Sequence, residues 1–109
     1  MAIGVIASGT QSATISTEHS LATSTTGKTY VFVVNTVNMA NGDELELRVK
    51  TKVLSGSTAQ VAYYQSYAHV QSAPNKYSVP VPANQSIEVT LKQVAGTGRS
   101  YEWALLSLD

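Results

Sequence analysis

The chain has no cysteine, so neither a disulfide framework nor a thiolate metal site is open to it. It has no excess of either charge: seven lysines and arginines balance seven aspartates and glutamates over 109 residues. Without a net field nothing draws it to nucleic acid or to an anionic membrane, and neither is expected as a partner. Long apolar runs are missing too. The opening MAIGVIASG has no positively charged flank, and its apolar stretch is too short for a signal peptide or a membrane span. The expectation is a chain made and kept in a cytoplasm until something assembles it. No window of ten or more residues carries a helical apolar stripe. Charge blocks, low-complexity linkers and internal repeats are absent as well. One domain over residues 1–109 is expected, long enough to bury a core without staples.

What is present is period-two alternation, bounded at short spacings by Gly, Asn, Ser and Pro clusters. AIGVIA and SATIST are weak strand candidates near the N-terminus. KTYVFVVNTV, residues 28–37, is apolar on both faces and is expected to lie deep in the protein as a central strand. After the NMANGD turn, ELELRVKTKV alternates strictly and predicts a hairpin with AQVAYYQSYAHV, residues 59–70. QSAPNKYSVPVPANQ holds all three prolines, which cannot donate to a sheet ladder, so an edge strand or an extended loop is expected there. SIEVTLKQV points Ile87, Val89 and Leu91 inward and Glu88, Thr90 and Lys92 outward, and GTG is read as a hairpin turn into SYEWALLSL. Seven or eight such strands predict an all-β, two-sheet antiparallel β-sandwich, with a jelly roll as one form of it and a small β-barrel as the alternative. The expected core includes Tyr30, Phe32, Leu45, Leu47, Val49, Ile87, Val89, Leu91 and Trp103.

The motifs that carry chemistry are missing. GTGRS is too short for a phosphate-cradling loop, and no G-x-S-x-G elbow occurs. His19 and His69 fall on separate segments, without a carboxylate at motif spacing and without enough partners for zinc. Glu44, Glu46, Glu88 and Glu102 fall on the polar side of alternating strands, where a charge is simply solvated. Asn84-Gln85-Ser86 matches a glycosylation sequon, taken as coincidence here. No catalytic residue, metal ligand or cofactor is assigned, and the protein is not expected to be an enzyme.

Two patterns remain as candidate surfaces. The charges of the ribbon are sorted, with Asp43, Glu44 and Glu46 at one end and Arg48, Lys50 and Lys52 at the other. Two such ribbons laid antiparallel would match each acidic end to a basic one over about 26 Å, at about 3.3 Å per residue. On the next strand Tyr63, Tyr67 and His69 share one side with Val61 and Gln65, while Tyr64 falls on the other with Ala62 and Val70. Tyrosines of this kind suit sandwich margins, protein interfaces or a glycan patch. Pro74, Pro80 and Pro82 would stiffen an arm that reaches a neighbour. The candidate interface is therefore Glu44, Glu46, Arg48, Lys50, Lys52, Tyr63, Tyr67, His69, Pro74, Pro80 and Pro82.

The run GKTYVFVVNTVNMANGDELELRVKTKV, followed by YYQSYAHVQSAPNKYSVPVPANQSIEVTLKQVAGTGRSYEW, resembles small proteins encoded among the structural genes of tailed bacteriophages and related prophages. The resemblance covers the chain from about residue 27 onward and carries no catalytic signature. It implies a non-enzymatic virion structural protein made in the host bacterial cytoplasm. The first expectation is a capsid decoration or cement protein that binds the major capsid protein and stabilises the shell. The alternative is a tail, head-to-tail or receptor- or glycan-binding component. Partners would be other virion proteins and further copies of the chain, a trimer among the oligomers allowed.

Overall fold

The computed structural model describes residues 2–109. Its nine strands are β1 (Ile3–Ser12), β2 (Glu18–Ser24), β3 (Lys28–Asn35), β4 (Glu44–Thr51), β5 (Gln60–Ala68), β6 (Asn75–Tyr77), β7 (Val81–Ala83), β8 (Ile87–Ala95) and β9 (Ser100–Leu108). Pairing runs outward from the β4–β5 hairpin. Next come β3 with β6 and β7, then β2 with β8, then β1 with β9, all antiparallel. That is one long hairpin. Rolled up, it also brings β9 against β3 and β8 against β4, giving a five-stranded sheet β1-β9-β3-β6/β7 and a four-stranded sheet β2-β8-β4-β5. The protein is an antiparallel β-sandwich with the strand order of a jelly roll, and its sheets do not close into a barrel.

The core follows from alternation. Tyr30, Phe32 and Val34 of β3, Leu45, Leu47 and Val49 of β4, Ile87, Val89 and Leu91 of β8, and Tyr101 and Leu105 of β9 turn into the space between the sheets and are buried. Burial of one such large side chain contributes about 1.5–3 kcal/mol, so loss of any of them is felt. Trp103 shares the inward side of β9 but is only half-buried, because its neighbour across β1 is Gly9 at the edge of the sandwich. The indole lies over that glycine, 3.6 Å from where a Cβ would stand. Tyr101, absent from the expected core, is fully buried, as is Tyr30.

Several expectations are corrected. SATIST is a turn: Ser16 has a left-handed backbone (φ 65°) and the Thr17 amide donates to the Thr14 carbonyl. GTG is not a hairpin turn, because β8 and β9 belong to different sheets and the loop carries the chain across the end of the sandwich. Gly96 at that crossing has φ +89°, and a Cβ there would lie 2.0 Å from Asp43 Oδ1. The proline-rich stretch is no free arm. The Thr36 amide and hydroxyl both donate to the Pro74 carbonyl, at 2.9 and 2.8 Å, and β6 and β7 are paired along β3 as a broken edge. Finally, β3 is central in its sheet but is not deep on both sides. Tyr30, Phe32 and Val34 are buried, whereas Val31 and Val33 stand on the outer face and are half-buried.

Candidate functional site

The outer face of the four-stranded sheet carries the charged ribbon. Its cross-strand rows are Glu18–Lys92–Glu46–Ser66, Ser20–Thr90–Arg48–Tyr64 and Thr23–Glu88–Lys50–Val61, so opposite charges already alternate across the strands. Arg48 Nη2 pairs with Glu46 Oε1 at 2.8 Å, and Lys50 Nζ pairs with Glu18 Oε2 at 2.8 Å. The Tyr64 hydroxyl donates to Glu46 Oε2, Ser20 Oγ to Glu88 Oε2, and Thr90 Oγ1 to Glu18 Oε2. The bond from Lys50, then that from Thr90, holds the Glu18 carboxyl below its ordinary range. Two of the three basic residues of the ribbon are thus committed within the molecule. Asp43, counted with the acidic end, is not on this face. It is 1% exposed and turned into the end of the sandwich.

There Asp43 anchors a polar cluster. Its carboxylate accepts from the Ala40 amide (2.9 Å), the Thr97 amide (3.1 Å) and Arg99 Nε (2.8 Å). Burial alone would raise its pKa, but the Ala40 amide, the Arg99 guanidinium and the Thr97 amide together outweigh it and hold the carboxyl below the usual range. Beside it the fully buried Gln93 has every polar atom engaged. Nε2 donates to the Ala95 and Thr97 carbonyls, while Oε1 accepts from the Arg99 amide and the Tyr101 hydroxyl. Burial, and then the Asp43 charge, push Tyr101 up to about 12. A cluster whose donors and acceptors meet one another across the Asp43, Gln93, Thr97, Arg99 and Tyr101 segments is a clasp for the β8–β9 crossing. It was not anticipated from the sequence, although Asp43 after the NG turn and Gly96 before Arg99 were its visible parts.

The tyrosines are divided by β5. Tyr63 and Tyr67 face inward beside Val49 and Leu45 and pack against the core, while Tyr64 faces outward. Burial, followed by the charge and hydroxyl of Tyr63, pushes Tyr67 up to about 12. Arg48 stacks 4.9 Å from the Tyr64 ring centre and Lys76 lies 5.0 Å from that of Tyr67, so each ring already carries a cation on one face. A cleft of about 390 Å³ opens here, lined by Glu44, Glu46, Tyr64, Ser66 and Tyr67 among others. His69 is not beside the tyrosines. β5 ends at Ala68, and His69 adopts φ 65°, with its Nδ1 accepting from the Gly42 amide at 2.9 Å. His19 likewise closes a turn, its Nε2 accepting from the Thr14 amide. Among the described residues no group of three or more His, Asp or Glu side chains is gathered as a metal site, and no helix is long and apolar enough to cross a membrane.

The surface that sequence reasoning missed is the outer face of the five-stranded sheet. Its rows are Ile3–Leu108–Thr29–Pro82, Val5–Leu106–Val31, Ser8–Ala104–Val33–Tyr77 and Thr10–Glu102–Asn35–Asn75. Of these positions only Glu102 is ionised, and the Asn35 amide caps it at 2.9 Å. Ile3 is 67% exposed, Val5 64% and Tyr77 61%, with Val79 of the β6–β7 connection at 56%. The apolar positions are concentrated in the first three rows, while the fourth, Thr10–Glu102–Asn35–Asn75, is polar throughout. The signal was the double apolar character of residues 30–34. A second apolar face means either a covering layer or a docking surface, and among the described residues no layer covers this one.

Comparison with protein-family models, with curated proteins and with solved structures returned no match.

Proposed function

We propose that this chain is a non-enzymatic virion structural protein of the decoration kind, built into a capsid through the outer face of its five-stranded sheet. The carrying observation is the contrast between the two outer faces. One holds a single capped charge, with valines, leucines and an isoleucine in three of its rows and neutral polar residues in the rest; the other is an ion-paired polar lattice suited to water. Decoration needs that asymmetry: a dry side for the shell and a wet side for the medium. The partner is an uncharged apolar patch on the major capsid protein. Many equivalent copies make such a contact effective even when each one is modest. The resemblance of residues 27–103 to phage structural proteins points the same way. A sugar-binding role is the weaker reading, because Arg48 and Lys76 occupy ring faces that a pyranose would stack on.

The test is co-sedimentation of the purified protein with shells that lack it. Wild type should pellet with the shells. Val5→Lys combined with Tyr77→Lys should stay in the supernatant while keeping wild-type circular dichroism, since both side chains are exposed. Wild type that remains in the supernatant would sink the proposal, as would a double variant that still pellets.

A further inference from the structure

β5 is the last strand of the four-stranded sheet, and its far edge is paired with nothing among the described residues. Natural sheets guard such edges with charge, proline, glycine or bulges, because an open row of backbone donors and acceptors recruits another strand. The other edges of this sandwich are guarded. β2 carries Glu18 and a bulge between Ser20 and Ala22, and the β6/β7 edge is broken by Pro80 and Pro82. β1 has a bulge between Val5 and Ala7, with Gly4 and Gly9 on either side. β5, QVAYYQSYA, has no charge, no proline and no glycine. Its one register shift lies opposite Val49 and Lys50, which leaves Tyr63–Ala68 in unbroken register with β4. YYQSYA is thus six uncharged residues with three tyrosines, strong strand formers on an open edge.

We infer that a second copy of this chain covers that edge, β5 pairing antiparallel with its symmetry mate to make one continuous eight-stranded sheet. Three features favour a second copy over an unrelated strand. An uncharged segment meets itself without opposing like charges. Cross-strand partners must face the same side, so a two-fold pairing has to pass through a residue rather than between two. With the axis at Gln65, Tyr63 of each copy lies opposite Tyr67 of the other, making two aromatic cross-strand pairs from rings that the core already holds in place. The Gln65 side chain is exposed and makes no hydrogen bond among the described residues, and it meets its own copy at the centre.

The geometry has a consequence for assembly. A two-fold axis perpendicular to a continuous sheet keeps the inner faces of both copies on one side. Both five-stranded sheets therefore lie on that side, and their apolar outer faces point the same way. The dimer would present two docking faces together and two ion-paired faces opposite. The inference rests on β5 alone, whatever those outer faces bind.

The absence of cysteine supplies the test. In Gln65→Cys the new thiols would sit on the axis, with Cα atoms about 4.5–5.5 Å apart, inside disulfide range. In Ala68→Cys the same two positions would be separated by six residue steps, roughly 20 Å. Under mild oxidation in solution, Gln65→Cys should give disulfide-linked dimer at least tenfold faster than Ala68→Cys. Wild type should show a concentration-dependent dimer by sedimentation, and Gln65→Lys, which sets two ammonium groups face to face, should remain folded and monomeric. Equal rates for the two cysteine variants, no linked dimer from Gln65→Cys, or a dimer that persists in Gln65→Lys would each overturn the pairing. Linked dimer without shell binding would remove the proposed function and leave this inference intact. Shell binding without linked dimer would do the reverse.

Discussion

Replacing Asp43 by alanine removes the acceptor of three hydrogen bonds at the end of the sandwich. The donors are the amides of Ala40 and Thr97 and the Arg99 guanidinium. Hydrogen bonds to a charged group contribute about 1.5–3 kcal/mol when the donor is stranded, and less when water can replace the acceptor. The Thr97 amide and Arg99 lie near the surface and rehydrate, whereas the Ala40 contact is partly enclosed. One full loss and two partial ones give about 3 kcal/mol. A domain of this size has about 5–15 kcal/mol in hand, so the variant should still fold. Urea unfolding followed through the single half-buried tryptophan, Trp103, measures the difference directly. The pH dependence has a definite sign. The folded carboxyl is held below its unfolded value of about 3.9, so its contribution is complete above about pH 4 and is lost as pH falls through the folded pKa. The gap between wild type and Asp43→Ala should therefore be full at pH 7 and close in acid. A gap below about 1 kcal/mol at pH 7, or one that persists unchanged into acid where wild type is still folded, would mean that the ionised Asp43 carboxylate does not hold this end of the sandwich together.

Gly96→Ala should cost at least about 2 kcal/mol, because it forces a side chain into a left-handed backbone and against Asp43 at once; a melting temperature within a degree of wild type would contradict this. Leu47→Ala, at the centre of the inward face of β4, should cost about 2–5 kcal/mol in reversible unfolding. Reversing Arg48, Lys50 and Lys52 to glutamate should lower stability by about 1–2 kcal/mol through the lost pairs with Glu46 and Glu18, a change read by urea denaturation. Shell binding in that triple variant should survive, since the apolar face is untouched.

Alternation makes much of the sandwich legible in the sequence. The inward residues of β4 and β8 read correctly because one face meets the core, and their tight pairing leaves the period of two unbroken over Leu45–Val49 and Ile87–Leu91; Thr90, expected outward, is on the outer face but 2% exposed, bonded to Glu18. β2 was illegible for the converse reason. Its bulge at Leu21 shifts the pattern between Ser20 and Ala22, and its residues are too small and polar to mark an inner face. The turn at Ser16 and the end of β5 at His69 depend on left-handed backbone at residues other than glycine, which composition does not announce. The candidate sites fared unevenly. The charges of the ribbon were placed on the right face, but whether a lysine is free or already paired depends on which strand lies beside it, and Glu18 comes from a strand that had not been recognised. The apolar face is visible in Val31 and Val33, but a strand apolar on both sides reads as interior. Hydrophobicity records that a surface avoids water; it does not record whether the same chain or another one covers it.

If the outer face of the five-stranded sheet docks on a capsid as proposed, an electron cryomicroscopy reconstruction of virions carrying this protein, compared with virions lacking it, should show it. The expected result is added density on the shell that accommodates the sandwich with Val5, Leu106, Val31 and Tyr77 against the major capsid protein and with Glu46, Arg48 and Lys50 toward solvent. Particles that show no difference density, or density in which the ion-paired face lies against the shell and the apolar face outward, would contradict it.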